Sequence, residues 1–102
     1  MPFIYIWEYT VKKEFLQEFI KAYRPEGDWV QLFKKSKGYI KTDLLQDHSN
    51  PTRFVTIDYW NSKQDRDAFQ DQFANEFKQL DRACEKFIQN EKWLGDFDIA
   101  TD

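Results

Sequence analysis

The chain has 102 residues, a formal net charge of -3, and an aromatic share of 19% made of 10 Phe, 5 Tyr and 4 Trp. That length fits one domain, residues 1–102, with room for a single modest core. The mild acidity excludes a general attraction to nucleic-acid phosphates or anionic membrane surfaces. No apolar stretch approaches the ~20 residues needed to span a bilayer, and no basic segment precedes the short apolar run at the start. One cysteine, Cys84, permits no intrachain disulfide, which fits a reducing compartment, so a cytoplasmic protein is expected.

Residues 3–10 are aromatic and β-branched and predict a first strand. Phe15, Leu16, Phe19, Ile20 and Tyr23 then recur at spacings of one, three and four, which draws the apolar stripe of a helix. Arg24-Pro25-Glu26-Gly27 breaks it. Asp28 is the expected cap of a second short helix carrying Trp29, Leu32 and Phe33, with Gly38 as its closing glycine. Residues 39–46 and 53–60 predict two strands joined by the turn formers Asp47 to Pro51. Ser62 and Asp65 resemble a capping box opening a long helix. Phe69, Phe73, Phe77 and Leu80 draw its seam, and Cys84, Phe87 and Ile88 extend it past a bend expected near Asp81. Residues 93–100 predict a final strand. The order βαββαβ implies an α+β ferredoxin-like sandwich with the helices on one face of an antiparallel sheet.

Neither sheet face reads as polar. In the first strand Phe3, Tyr5, Trp7 and Tyr9 alternate with Ile4, Ile6 and Glu8. In the third, Phe54, Thr56, Asp58 and Trp60 alternate with Arg53, Val55, Ile57 and Tyr59. Helices cover one face only, and a half-exposed sheet should show apolar-polar alternation. The second face therefore predicts a partner sheet, most economically another copy of the chain in a homodimer.

The βαββαβ order, the segment Gly38-Tyr39-Ile40-Lys41-Thr42-Asp43-Leu44-Leu45 and the run Arg53-Phe54-Val55-Thr56-Ile57-Asp58-Tyr59-Trp60-Asn61-Ser62, followed by a helix with Phe69, resemble the antibiotic biosynthesis monooxygenase (ABM) family of the dimeric α/β barrel superfamily. The resemblance implies a homodimer whose sheets close a barrel and a pocket between sheet and helices. It also implies, for some members, oxygenation of polycyclic aromatic substrates without a cofactor. Other members degrade haem with an Asn, a Trp and a His that would fall near Trp7, Phe69 and Asp81 here. None of the three matches, so no haem is expected.

Asp58 is the candidate catalytic residue: a carboxylate inside a β-prone run would have a raised pKa and could accept a proton. The alternative is a structural Asp satisfied by nearby donors. Tyr5, Trp7, Trp29, Phe33, Trp60, Phe69 and Phe73, with Tyr9, are the candidate wall for a flat aromatic ligand, against the alternative that they only fill the core. His48 lies in a polar turn without further ligands at metal spacing, so no metal site is expected. Three glycines form no phosphate-binding loop, so no cofactor is expected. Three functions remain open: a cofactor-independent monooxygenase acting on an aromatic or quinone-like small molecule, a non-catalytic or regulatory homodimer binding a small hydrophobic ligand, or a structural dimer whose aromatics only fill the core.

Overall fold

A computed structural model describes residues 2–100. Four strands, β1 (Phe3–Val11), β2 (Tyr39–Gln46), β3 (Arg53–Trp60) and β4 (Ile88–Phe97), form one sheet in the order β2-β3-β1-β4. All three pairings are antiparallel. Helices α1 (Leu16–Tyr23) and α2 (Asp28–Phe33) connect β1 to β2, and α3 (Lys63–Gln72) and α4 (Ala74–Cys84) connect β3 to β4. This is the α+β ferredoxin-like arrangement that the element order implied.

β2 and β3 match their expected bounds, and four local expectations need correction. The long helix changes direction at Phe73, not near Asp81. The backbone ladder continues across the kink, since Phe73 N–H bonds Phe69 O and Phe77 N–H bonds Phe73 O. α4 ends at Cys84, and Ile88, expected on the helical seam, opens β4 five residues before the expected strand start. Ile88 pairs with Val11, so β1 supplies the ladder that ends the helix. Gly27, not Asp28, is the residue before α2, and Asp28 is its first helical residue.

Gly38 is not a helix-closing residue, because α2 ends at Phe33. Its role is close approach. A Cβ there would collide with that of Asp65, while Gly38 O accepts a 2.7 Å hydrogen bond from Asn61 N. This packs the start of β2 against α3. The Ser62 cap forms as expected, its hydroxyl accepting from Asp65 N at 3.1 Å.

Register decides which side chains meet. Phe3, Tyr5, Trp7 and Tyr9 stand opposite Trp60, Asp58, Thr56 and Phe54, all on the helix side by the two-residue period of a strand. The core lies there, built mostly of rings. Phe19 stacks on Tyr23 with centroids 4.2 Å apart, and Tyr9 meets both edge-on. Phe33, Phe69 and Tyr39 close around Trp60. The opposite face pairs Ile6 with Ile57, Leu45 with Val55 and Phe97 with Ile4, while Tyr59, Glu8 and Asp43 also face Ile4, Val55 and Ile57. Leu45 and Phe97 are 51% and 45% exposed there.

Candidate active site

A cavity of about 290 Å³ lies between the helix side of the sheet and the helices. Its floor is the sheet centre. β1 contributes Tyr5, Trp7 and Tyr9, β3 contributes Thr56 and Asp58, and β2 contributes Thr42. α1 and α2 add Tyr23, Trp29 and Phe33; α3 and α4 add Arg66, Gln70, Phe77 and Asp81; β4 adds Glu91 and Trp93.

Asp58 is buried at the centre of this floor. It is there because β3 alternates strictly: Phe54, Thr56, Asp58 and Trp60 are buried, and the residues between them are more exposed. The Thr42 hydroxyl donates to Asp58 Oδ1 at 2.5 Å. Tyr39 Oη lies 2.7 Å from the same hydroxyl oxygen. Thr42 has one proton, already committed to Asp58, so Tyr39 is the donor to Thr42. Burial pushes the Asp58 carboxyl up to about 7, against the downward pull of the Thr42 hydrogen bond. Asp58 Oδ2 receives no hydrogen bond from a described side chain and is the oxygen left to the cavity.

The surrounding phenols stay neutral. Burial, reinforced by the Asp58 charge, holds Tyr5 and Tyr9 well above the ordinary tyrosine range, and burial with the same reinforcement pushes Tyr39 up to about 12 after a downward pull from Thr42. Arg66 is the cation of the cavity wall. Its guanidinium lies 5.1 Å from the Phe3 ring centroid and 5.3 Å from that of Tyr5, a cation–π seat, and its Nε donates to Asp67 Oδ1 at 3.1 Å. At the rim, burial raises Asp81 and Glu91, and the neighbouring Glu85 carboxylate adds to both shifts. Among the described residues no three His, Cys, Asp or Glu side chains gather to hold a metal ion.

Of the residues singled out in the sequence, Tyr5, Trp7, Trp29, Phe33 and Asp58 border the cavity. Trp60, Phe69 and Phe73 do not. Trp60 is wholly enclosed beneath α2 and α3, its indole N–H donating to Tyr5 Oη at 3.2 Å. Phe69 is buried against it, and Phe73 packs behind Phe69. The Trp29 indole N–H is buried without a hydrogen-bond partner. The sequence reading missed Tyr23, Thr42, Thr56, Arg66, Gln70, Phe77, Asp81, Glu91 and Trp93. Arg66, Gln70 and Asp81 occupy polar helix positions that read as solvated, and Glu91 falls where the helix was expected to have ended and the strand not yet begun.

The model of the antibiotic biosynthesis monooxygenase family matches residues 2–80 of the sequence. The chain belongs to the ABM family. Among solved structures, this ABM protein superposes on PA3566 of Pseudomonas aeruginosa with a TM-score of 0.75 and 20% identity, covering 98% of this chain and 95% of that one. SnoaB of Streptomyces nogalater, described as a cofactor-independent oxygenase, gives 0.74 and 16%, covering 99% and 95%. A NIPSNAP family protein of Agrobacterium tumefaciens gives 0.70 and 16%, covering 100% and 95%. At these identities the likeness is one of fold. Among curated proteins none matches the ABM chain in sequence.

Proposed function

We propose that this ABM protein is a cofactor-independent monooxygenase that binds a planar aromatic or quinone-like molecule between sheet and helices, with Asp58 as its base. The observation that carries the reading is the buried Asp58 carboxyl, raised to about 7, at the floor of an aromatic-walled cavity. A base poised near neutral pH combines the required ionised state with a real driving force for proton transfer. The cavity is near the lower end of small-molecule pockets, roughly 300 Å³. Its Trp and Tyr faces suit offset stacking.

In this reading the substrate's acidic C–H or O–H passes its proton to Asp58 Oδ2. The carbanion form of the substrate adds dioxygen to give a carbon-bound peroxide, which takes the proton back from Asp58. Loss of the second hydrogen from the same carbon then breaks the O–O bond, leaving one oxygen as a carbonyl and releasing the other as water. Arg66, seated on Phe3 and Tyr5, stabilises the anion while it forms. SnoaB, described as a cofactor-independent oxygenase on the same fold, supports the class of reaction. We also propose that the protein works as a homodimer, its outer sheet face covered by a second copy. That face is apolar at Ile4, Ile6, Val55 and Ile57 and leaves Leu45 and Phe97 about half exposed, more than a lone soluble chain ordinarily leaves contiguous. No described helix is long and apolar enough to cross a membrane.

The test is oxygen consumption with hydroxylated two- and three-ring aromatics, with binding followed by tryptophan fluorescence. Asp58→Asn is expected to lower kcat at least about 100-fold, the usual scale of a lost general base, with the dissociation constant changed little. Full turnover in the variant overturns the base assignment. Failure of every such probe to quench tryptophan fluorescence overturns the pocket.

A further inference from the structure

We infer that Thr42 and Tyr39 are positioning residues: a two-hydroxyl chain from β2 clamps Asp58 through Oδ1 and so presents Oδ2 to the cavity. The inference rests on the reading of Asp58 as the site's base. The geometry assigns the direction of each bond. Thr42 spends its only proton on Oδ1 at 2.5 Å, so Tyr39, 2.7 Å away, must donate into it. Both protons therefore point toward the carboxyl, and each bond polarises the next.

The clamp also has a fixed frame. Thr42 stands opposite Asp58 across the β2–β3 pair, and Tyr39 stands opposite Trp60. Between them the register slips at Ile40, an irregularity that changes the facing of successive side chains. Tyr39 is wedged against the rings of Phe33 and Trp60 at 5.5 Å from each. It lies outside the cavity lining, so a ligand does not displace it. Tyr39 thus reaches Asp58 by hydrogen bonding through Thr42.

The other charged and titratable groups around Asp58 differ in kind. Tyr5 and Tyr9 of β1 feel its charge, Tyr23 faces the same cavity from α1, and Arg66 faces it from α3. Asp81 of α4 and Glu91 of β4 sit at the rim, and α2 contributes only the uncharged Trp29 and Phe33. Thr42 is the side chain that donates a hydrogen bond to the carboxyl.

The experiment follows the carbon-13 carboxyl signal of Asp58 against pH in ligand-free protein, assigned by its loss in Asp58→Asn. Thr42→Val removes the donor while keeping the shape, and its midpoint is expected to rise by about one pH unit, the scale of a hydrogen bond to a charged acceptor. Thr42→Ser, which keeps the hydroxyl, should return the midpoint to that of the wild type. Tyr39→Phe should raise it by a smaller amount in the same direction. An unchanged midpoint in Thr42→Val, or a Thr42→Ser shift as large as that of Val, overturns the clamp. The titration reads the free protein, so its failure sinks the clamp alone. A ligand chemistry indifferent to Asp58→Asn sinks the base reading alone.

Discussion

The two faces of one sheet solve different problems with adjacent residues. On the helix side, Tyr5, Trp7, Thr56 and Asp58 combine rings with polar atoms around a cavity. On the other side, Ile4, Ile6, Val55 and Ile57 stand at the positions between them, aliphatic, with Glu8 opposite Val55 and Asp43 opposite Ile57. The helix side is wide enough to need large rings and leaves a hollow where they do not interdigitate. The outer side is flat and aliphatic, a surface suited to packing sheet on sheet about 10 Å apart. Polar chemistry is therefore concentrated where the enclosure is incomplete, and assembly is expected where it is smooth.

The strongest way to break this contrast is at Trp60. It is fully enclosed and braced by Phe33, Tyr39 and Phe69. Trp60→Ala should cost about 3–5 kcal/mol, a large part of the stability of a domain this size. A loss under about 1 kcal/mol on chemical denaturation would show that the helix side is not closely packed around it.

Asp58 tests the same face with the opposite sign. Its carboxyl titrates near 7 when folded and near 3.9 when unfolded. The folded protein thus holds the proton more tightly than the unfolded chain. The associated stability is fully present below about pH 4, is lost progressively as pH rises toward 7, and stays lost above. Asp58→Asn escapes that loss while keeping an oxygen for Thr42 to donate to. At pH 8 the variant should be more stable than the wild type by on the order of 2–4 kcal/mol. The gap should close as pH falls to 4. A wild type as stable as the variant at pH 8 would show that the carboxyl is not held in a low-dielectric site.

The outer face should respond least in the chain's own folding and most in its assembly. Ile57 is half-buried opposite Ile6. Ile57→Lys should leave the circular dichroism spectrum unchanged and reduce a dimer mass in light scattering to that of one chain. A wild type that is already monomeric at micromolar concentration ends the proposal of a second copy on this face.

Much of the fold was legible in residue order. The bounds of β2 and β3 follow from β-branched and aromatic runs closed by turn formers, and the Asp47 side chain stabilises the turn between them by accepting from Ser49 and Asn50 backbone N–H groups. The C-terminal boundary was not legible, because Phe87 and Ile88 satisfy the spacing of a helical seam as well as the start of an apolar strand. Asp58 stood out because a carboxylate is rare inside such a strand. Trp7 and Trp60 share a strand-face parity and an aromatic type, yet one borders the cavity and the other is sealed below it. Nothing local separates them; the helices that pass over the sheet end do.

By itself the sequence determined the element order, the apolar character of both sheet faces and the presence of one carboxylate among rings, since these depend on local spacing and residue type. Only the tertiary structure decided that Thr42 and Tyr39 reach Asp58, that Arg66 enters the same cavity and that Trp60 leaves it. Those relations join residues up to 63 positions apart, as Arg66 and Phe3 are, and they are fixed by strand register and helix placement, which no local pattern encodes.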